Sequence, residues 1–248
     1  MNSSEKLIAL LKTLSKPPFE FGVTELSQVI GCGKSGTYKL LATLVQEGMA
    51  EQKENKKYRL GLAAYLIGKS YEDHVGLGRF ARPYLEQLRD VTNENVSIAV
   101  WSEGAVTVLY RLESRALIRV VGRVGATRPI NASAMGKTLA AYRDWGDIEK
   151  IVAQNPLEKY TPKTITDLPA LKKQYELIRE QGYAVSNGEL DEGSMGIGAP
   201  VMDRNGNVRA SISIGAPVIR VTEEKMQEFI RLVRKSAQQI SEAISSLQ

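Results

Sequence analysis

The 248-residue chain holds a single cysteine, Cys32, and a single histidine, His74. One thiol cannot close an intramolecular disulfide and fits a reducing compartment. One residue of each kind cannot build a structural zinc site of the Cys/His type, so neither a metal nor a cofactor is expected. His74 falls in a linker, and no nucleophile–histidine–carboxylate set can be assembled around it, which argues against an enzyme. Long apolar runs are missing as well. No stretch approaches the ~18 uninterrupted apolar residues that a membrane span needs. The start, MNSSEKLIALLKTLS, offers only LIALL between Lys6 and Lys12, too little for a secretory signal, and the expected location is cytoplasmic. Internal repeats and low-complexity tracts are absent too.

What is there reads as globular. The chain is 43% hydrophobic and 25% charged, which excludes a largely disordered protein, and its length suits two domains. The net charge of +5 is unevenly spread. Residues 1–61 hold 9 Lys and Arg against 6 Asp and Glu, whereas the rest of the chain holds 24 against 22. The N-terminal quarter therefore carries most of the positive excess, which permits a polyanionic partner.

Leu7, Leu10, Leu11 and Leu14 share one helical face over residues 4–14, with Ser3 or Ser4 as the expected N-cap. KPPFEFG breaks that helix. Thr24 is expected to cap a second helix carrying Leu26, Val29 and Ile30, which Gly31 ends. After the GCG turn, Lys34 to Glu47 form a third, with Leu40, Leu41, Leu44 and Val45 inward and Gly48 just past its end. MAEQKENKKYRLG then alternates as two short strands around Glu54-Asn55-Lys56. Three helices and a hairpin are the order of a winged helix-turn-helix.

In that motif the second helix of the pair enters the major groove and its N-terminal residues meet base edges. With Thr37 and the leucines inward, the outer face presents Lys34, Ser35, Gly36, Tyr38, Lys39 and Thr43. Lys53, Lys56, Lys57 and Arg59 of the hairpin suit backbone phosphates, whose neutralisation gives sequence-independent affinity. The plainer alternative is a winged helix used only for protein contact, with a solvated lysine face.

From Leu62 a helical stretch runs to about His74, is broken by VGLG at 75–78, and is followed by a helix over FARPYLEQLRDVT. Domain limits are accordingly set at 1–61, a linker helix at 62–76, and 77–248. The last of these alternates: strands at 95–101, 105–112, 117–121, 183–185, 196–202 and 207–214, and helices near 134–142, 167–181 and 222–246. Thr222 is the expected cap of the last helix. Antiparallel strands with helices outside make an α+β fold.

Two motifs in this half are decoys. GKT at 136–138 lacks the glycine that a phosphate loop needs where Asn131 stands, and GSMGIG at 193–198 has the wrong spacing for a dinucleotide fingerprint. Glu189, Asp191 and Glu192 fit a solvated turn better than an acid/base pair. A binding pocket is the sharper reading. Alternation in ASISIG puts Ser211 and Ser213 on one strand face, and the helix after Ser133 offers free amides at Ala134 and Met135, a place for a carboxylate.

TELSQVIGCGKSGTYKLLATLVQEGMAEQKENKKYRLG resembles the N-terminal domain of the IclR (isocitrate lyase regulator) family of bacterial transcription factors. VGRVGATRPINASAMGKTLAAY and GYAVSNGELDEGSMGIGAPVMDRNGNVRASISIGAP resemble that family's effector-domain blocks, in order and at similar spacing. The resemblance implies a GAF-like effector domain and a homodimer or homotetramer on a palindromic double-stranded operator. It also implies that Ala134, Met135, Ser186, Gly196 and Ser213 match effector-contacting positions. Three positions depart from the family pattern: Asn131 where His is usual, Gly196 where Cys is common, and Gly36 where Thr is usual. Gly196 should enlarge the pocket and Asn131 should remove a possible charge nearby, favouring a carboxylate larger than a two- or three-carbon acid. The functional expectation is a DNA-binding regulator, a repressor, whose operator affinity a small organic acid controls. The alternative is a winged-helix interaction module fused to a metabolite-binding or weakly enzymatic α+β domain.

Overall fold

The computed structural model describes residues 1–74, 77–102 and 104–245, and the chain divides into two compact units, Met1–Gly76 and Leu77–Gln248. Among the described residues no helix is long and apolar enough to cross a membrane.

The first unit runs α1 (Ser3–Leu14), α2 (Val23–Val29), α3 (Lys34–Gln46), β1 (Ala50–Gln52), β2 (Tyr58–Leu60) and α4 (Leu62–His74). Leu10, Leu14, Leu26, Leu41 and Leu44 meet Tyr58 of the hairpin in one core, so each short helix is held by packing more than by its own propensity. Burying each leucine contributes about 1.5–3 kcal/mol. The caps differ from expectation. Asn2, not Ser3 or Ser4, caps α1, its side chain accepting from the Glu5 amide while Glu5 accepts from the Asn2 amide. Gly22, not Thr24, precedes α2, and the Glu25 carboxylate takes the Gly22 amide at 2.6 Å. In both, a glutamate three residues on satisfies the donor that the helix start leaves open. Gly31 closes α2 with φ 57°, a conformation costly for any residue with a Cβ. Val45 is 39% exposed instead of inward, because it falls one residue past the Leu41–Leu44 stripe.

The second unit runs α5 (Leu77–Thr92), β3 (Asn95–Ser102), β4 (Ala105–Leu112), β5 (Thr127–Arg128), α6 (Ala134–Ala141), α7 (Trp145–Gln154), α8 (Leu168–Gln181), β6 (Ala184–Asn187), β7 (Ser194–Met202), β8 (Val208–Pro217) and α9 (Glu223–Ser245). Its six strands form one sheet in the order β5-β4-β3-β8-β7-β6, with every neighbouring pair antiparallel. Alternation sorts the two faces. Ile98, Ile197, Ile212 and Ile214 pack with Leu85 of α5 and with Phe229, Val233 and Ile240 of α9. Ser97, Gly196, Gly198 and Ser213 belong to the opposite face, where α6 lies. A Cβ at Gly198 would stand 3.1 Å from the Ala134 carbonyl, so glycine there lets the start of α6 press onto the sheet.

Three further expectations are corrected. The VGLG break covers Val75 and Gly76, which lie outside the described residues, but Leu77 and Gly78 already belong to α5. Residues 117–121 form no strand; β4 pairs instead with the shorter β5, which was not anticipated. The reason is visible at Val120, whose carbonyl accepts from Asn95 Nδ2 at 2.8 Å and Arg111 Nη2 at 2.6 Å and so is spent on side chains, not on a ladder. Helix α7, with Asp144 as its N-cap, was also missed.

Candidate nucleic-acid interface and effector cavity

Helix α3 turns Thr37, Leu41 and Leu44 into the core, which leaves Lys34, Ser35, Tyr38, Lys39 and Thr43 exposed on its outer side. Tyr38 is 49% exposed although it is a large aromatic. The Thr43 hydroxyl donates back to the Lys39 carbonyl at 3.2 Å. Gly36 is half-buried against Cys32: a Cβ there would lie 2.7 Å from the Cys32 Sγ, so the thiol occupies the space that a threonine at this position would need.

The basic residues of the hairpin are not equivalent. Lys53 donates to Glu20 at 2.9 Å, and Arg59 is paired with Glu51 across the strands. The hydrogen bond from Lys53 holds the Glu20 carboxyl below its usual range. Lys34, Lys39, Lys56 and Lys57 make no ion pair among the described residues. Lys56 sits at the tip with φ 62°, in the left-handed region, which turns the hairpin back on itself. Of the ten residues expected at DNA, two therefore already hold acidic partners.

In the second unit a cavity enclosing about 510 Å³ of empty space, mouth included, opens between the sheet and the start of α6. Ala134, Met135, Ser186, Gly196 and Ser213 all line it. Ser133 caps α6, its hydroxyl taking the Gly136 amide at 2.9 Å while its carbonyl takes that of Lys137 at 2.8 Å. The Ala134 and Met135 amides come before these bonds and have no partner among the described residues, so the helix presents open donors and the positive end of its dipole. Ser213 is buried and its hydroxyl has no partner among the described residues, whereas Ser186 donates to the Ala132 carbonyl at 2.5 Å. A Cβ at Gly196 would come 3.2 Å from that of Ala134, so a larger residue there would crowd the floor of the cavity.

One expected residue lies outside the cavity. Ser211 shares the face of Ser213 but is fully buried beyond the cavity, beside Pro200 and Ala99, with only a 3.4 Å contact to the Ile212 carbonyl. Alternation gives the face of a strand, not how far along it a cavity reaches. Asn131 does not line the cavity either. It is buried and its Nδ2 donates to the Glu158 and Ile165 carbonyls at 3.0 and 2.8 Å, a clamp on the segment before α8. The GKT decoy also has its explanation. Lys137 is wholly buried and its Nζ donates to both Glu189 carboxylate oxygens, at 2.7 and 2.6 Å, and to the Val185 carbonyl at 2.6 Å. Burial pulls this ammonium below the ordinary lysine value, and the Glu189 charge and hydrogen bonds pull it back.

The cavity also contains residues that sequence patterns did not single out. Arg111 of β4 and Arg128 of β5 line it, while its lining includes no aspartate, glutamate, histidine or cysteine among the described residues. Arginines on short alternating strands read as solvent-facing; the only hint was that two of them flank the loop 113–126.

The IclR helix-turn-helix domain model matches residues 3–54, and the bacterial transcriptional regulator IclR C-terminal model matches residues 69–242. The chain is 33% identical over 242 residues to the HTH-type transcriptional regulator KdgR of Escherichia coli strain K12, covering 97% of this chain and 92% of that protein. It is 30% identical over 241 residues to the HTH-type transcriptional repressor AllR of the same strain, covering 97% and 89%. Its fold matches the crystal structure of an IclR homologue from Microbacterium hydrocarbonoxydans complexed with 4-hydroxybenzoate, with a TM-score of 0.89 at 22% identity over 99% of this chain and 100% of that one.

Proposed function

The chain belongs to the IclR family of bacterial transcriptional regulators, and from that premise we propose that it is a repressor that reads a palindromic operator with α3 and is governed by an organic carboxylate bound at the start of α6. The observation that carries this reading is the outer face of α3, where Lys34, Ser35, Tyr38, Lys39 and Thr43 are exposed together and none is needed by the core. Lys39 and Tyr38 reach base edges, and Lys56 and Lys57 neutralise flanking phosphates. One winged helix covers one half-site, so useful affinity calls for two copies. Helix α4 supplies the pairing face: Leu62, Tyr65, Leu66 and Ile67 are each more than half exposed on a 13-residue helix.

In the cavity, the Ala134 and Met135 amides hold a carboxylate and Ser213 adds a directional hydroxyl. The 4-hydroxybenzoate bound by the Microbacterium homologue is itself an organic carboxylate, the ligand class proposed here. Selection of bound sequences from a random duplex pool tests the reading. The expected result is a two-fold symmetric site with half-sites one helical turn apart, or a multiple of it, whose affinity changes when an organic acid is added. Enrichment of no sequence, or of an asymmetric half-site held by a monomer, would overturn it.

A further inference from the structure

Two half-buried arginines that line the cavity bring their guanidiniums together beside Gly122, and no acid pairs with either among the described residues. A Cβ at Gly122 would lie 2.7 Å from Arg111 Nη1 and 2.7 Å from Arg128 Nη2, so both cations crowd the same point. Arg111 is tied down, donating to the Val120 carbonyl at 2.6 Å and contacting Ser97 Oγ at 3.4 Å. The Arg128 side chain makes no hydrogen bond or ion pair among the described residues, although its backbone pairs with Val106 in the sheet. The Nε atoms of both are buried without a partner. Burial first, and then the neighbouring Arg128 charge, lower the Arg111 value; burial alone lowers that of Arg128. Glu113, the acid that Arg111 feels, is exposed and paired with Arg119 at 3.0 Å. Asp191 lies on an outer hollow that Arg128 also borders; it is exposed, one of its carboxylate oxygens accepts the Gly193 amide, and it makes no ion pair with Arg128.

Guanidiniums stay charged at any physiological pH, so the protein cannot relieve this pair by losing a proton. Buried cations are ordinarily paired. The α6 amides at the same cavity add a further positive potential and are sufficient for one carboxylate by themselves. A single monoanion would thus leave the arginines, or the helix, uncompensated. We propose that Arg111 and Arg128 form a second anion subsite, so that the effector carries two acidic groups: a carboxylate toward α6, and a carboxylate or phosphate against the arginines. The planar forks of two arginines suit either group. This rests on the cavity being the effector site.

Matched pairs separate the two ideas. Calorimetry on the full-length protein compares valerate with glutarate, benzoate with terephthalate, and glycerate with 3-phosphoglycerate. In at least one pair the doubly acidic member should bind ten times or more tighter, and the pair in which it does so tells a second carboxylate from a phosphate. R128Q should bring that ratio close to one with the singly acidic member still bound, and R128K should restore part of it. The unliganded melting temperature of R128Q should not fall, since a like charge is removed. Equal affinities within all three pairs on the wild-type protein, while acids still bind, would overturn the second subsite and leave the cavity standing. A ratio unchanged in R128Q would do the same. No binding by either member of any pair would remove both readings.

Discussion

At their candidate sites the two units use basic residues in opposite ways. In the first, Lys34, Lys39, Lys56 and Lys57 stand in solvent, and even the paired Lys53 and Arg59 remain well exposed. In the second, Lys137 is wholly buried and Arg111 and Arg128 are half-buried in a cavity. A solvated cation costs the fold almost nothing and is free to meet a polyanion whose position varies. A buried cation must have its partner built in, or it waits for one. Lys137 has Glu189; the arginine pair has no acidic partner among the described residues.

The contrast is greatest in stability. Lys137→Ala leaves the Glu189 carboxylate and the Val185 carbonyl without their donor inside the fold, and should cost about 3–5 kcal/mol. Denaturant unfolding of the full chain measures it. Lys137→Met combined with Glu189→Gln should recover much of the loss, because no unpaired charge is left behind. Lys39→Ala, on the exposed face, should leave unfolding unchanged. Equal small losses in both single variants would erase the distinction between the units.

Within the cavity the sharper contrast is between two serines on one strand. Ser213→Ala should weaken a bound carboxylate by roughly tenfold or more, since a hydrogen bond to a charged group is worth about 1.5–3 kcal/mol. Ser211→Ala, one alternation away but sealed off, should leave ligand affinity alone. Calorimetry with the tightest-binding acid compares them, and full affinity in Ser213→Ala would take that hydroxyl out of the site.

Legibility follows the same division. The face of α3 could be read because helical periodicity separates core from solvent when a helix packs on one side only, as Thr37, Leu41 and Leu44 do. Strand alternation likewise placed Ser213 opposite Ile212 and Ile214. It could not show that α6 and the loop 113–126 close over one stretch of that face, so Ser211 was included and Arg111 and Arg128 were passed over. Residues 117–121 have the apolar content of a strand yet leave Leu117 at 97% and Val121 at 91% exposed, and the Val120 carbonyl is held by the side chains of Asn95 and Arg111 instead of a neighbouring strand. Such competition between side chain and ladder depends on residues distant in the chain, and no local pattern records it.

On DNA the exposed lysines should divide by position. Lys39→Ala should weaken specific binding by ~1–3 kcal/mol if it reads a base edge, whereas Lys56→Ala should weaken all sequences alike and reduce the salt slope by about one. Mobility-shift titrations at several salt concentrations distinguish them. Wild-type binding by both variants would mean that the charged face of this unit serves another partner.

The smallest expected effect is a gain. Lys53 is held by Glu20 at 2.9 Å, and that pair is close to electrically neutral toward a phosphate. Glu20→Gln keeps the size and polarity of the side chain but frees the ammonium, so Lys53 should join Lys56 and Lys57 in displacing counterions. Binding to any duplex should then tighten modestly at low salt, and the dependence of log affinity on log salt should steepen by up to ~0.9. The gain should vanish in Glu20→Gln combined with Lys53→Ala, which shows that it comes through that lysine and not through the altered loop. If Glu20→Gln binds with the wild-type slope, Lys53 faces away from DNA, and the exposed cations that meet the duplex reduce to the four that have no acidic neighbour.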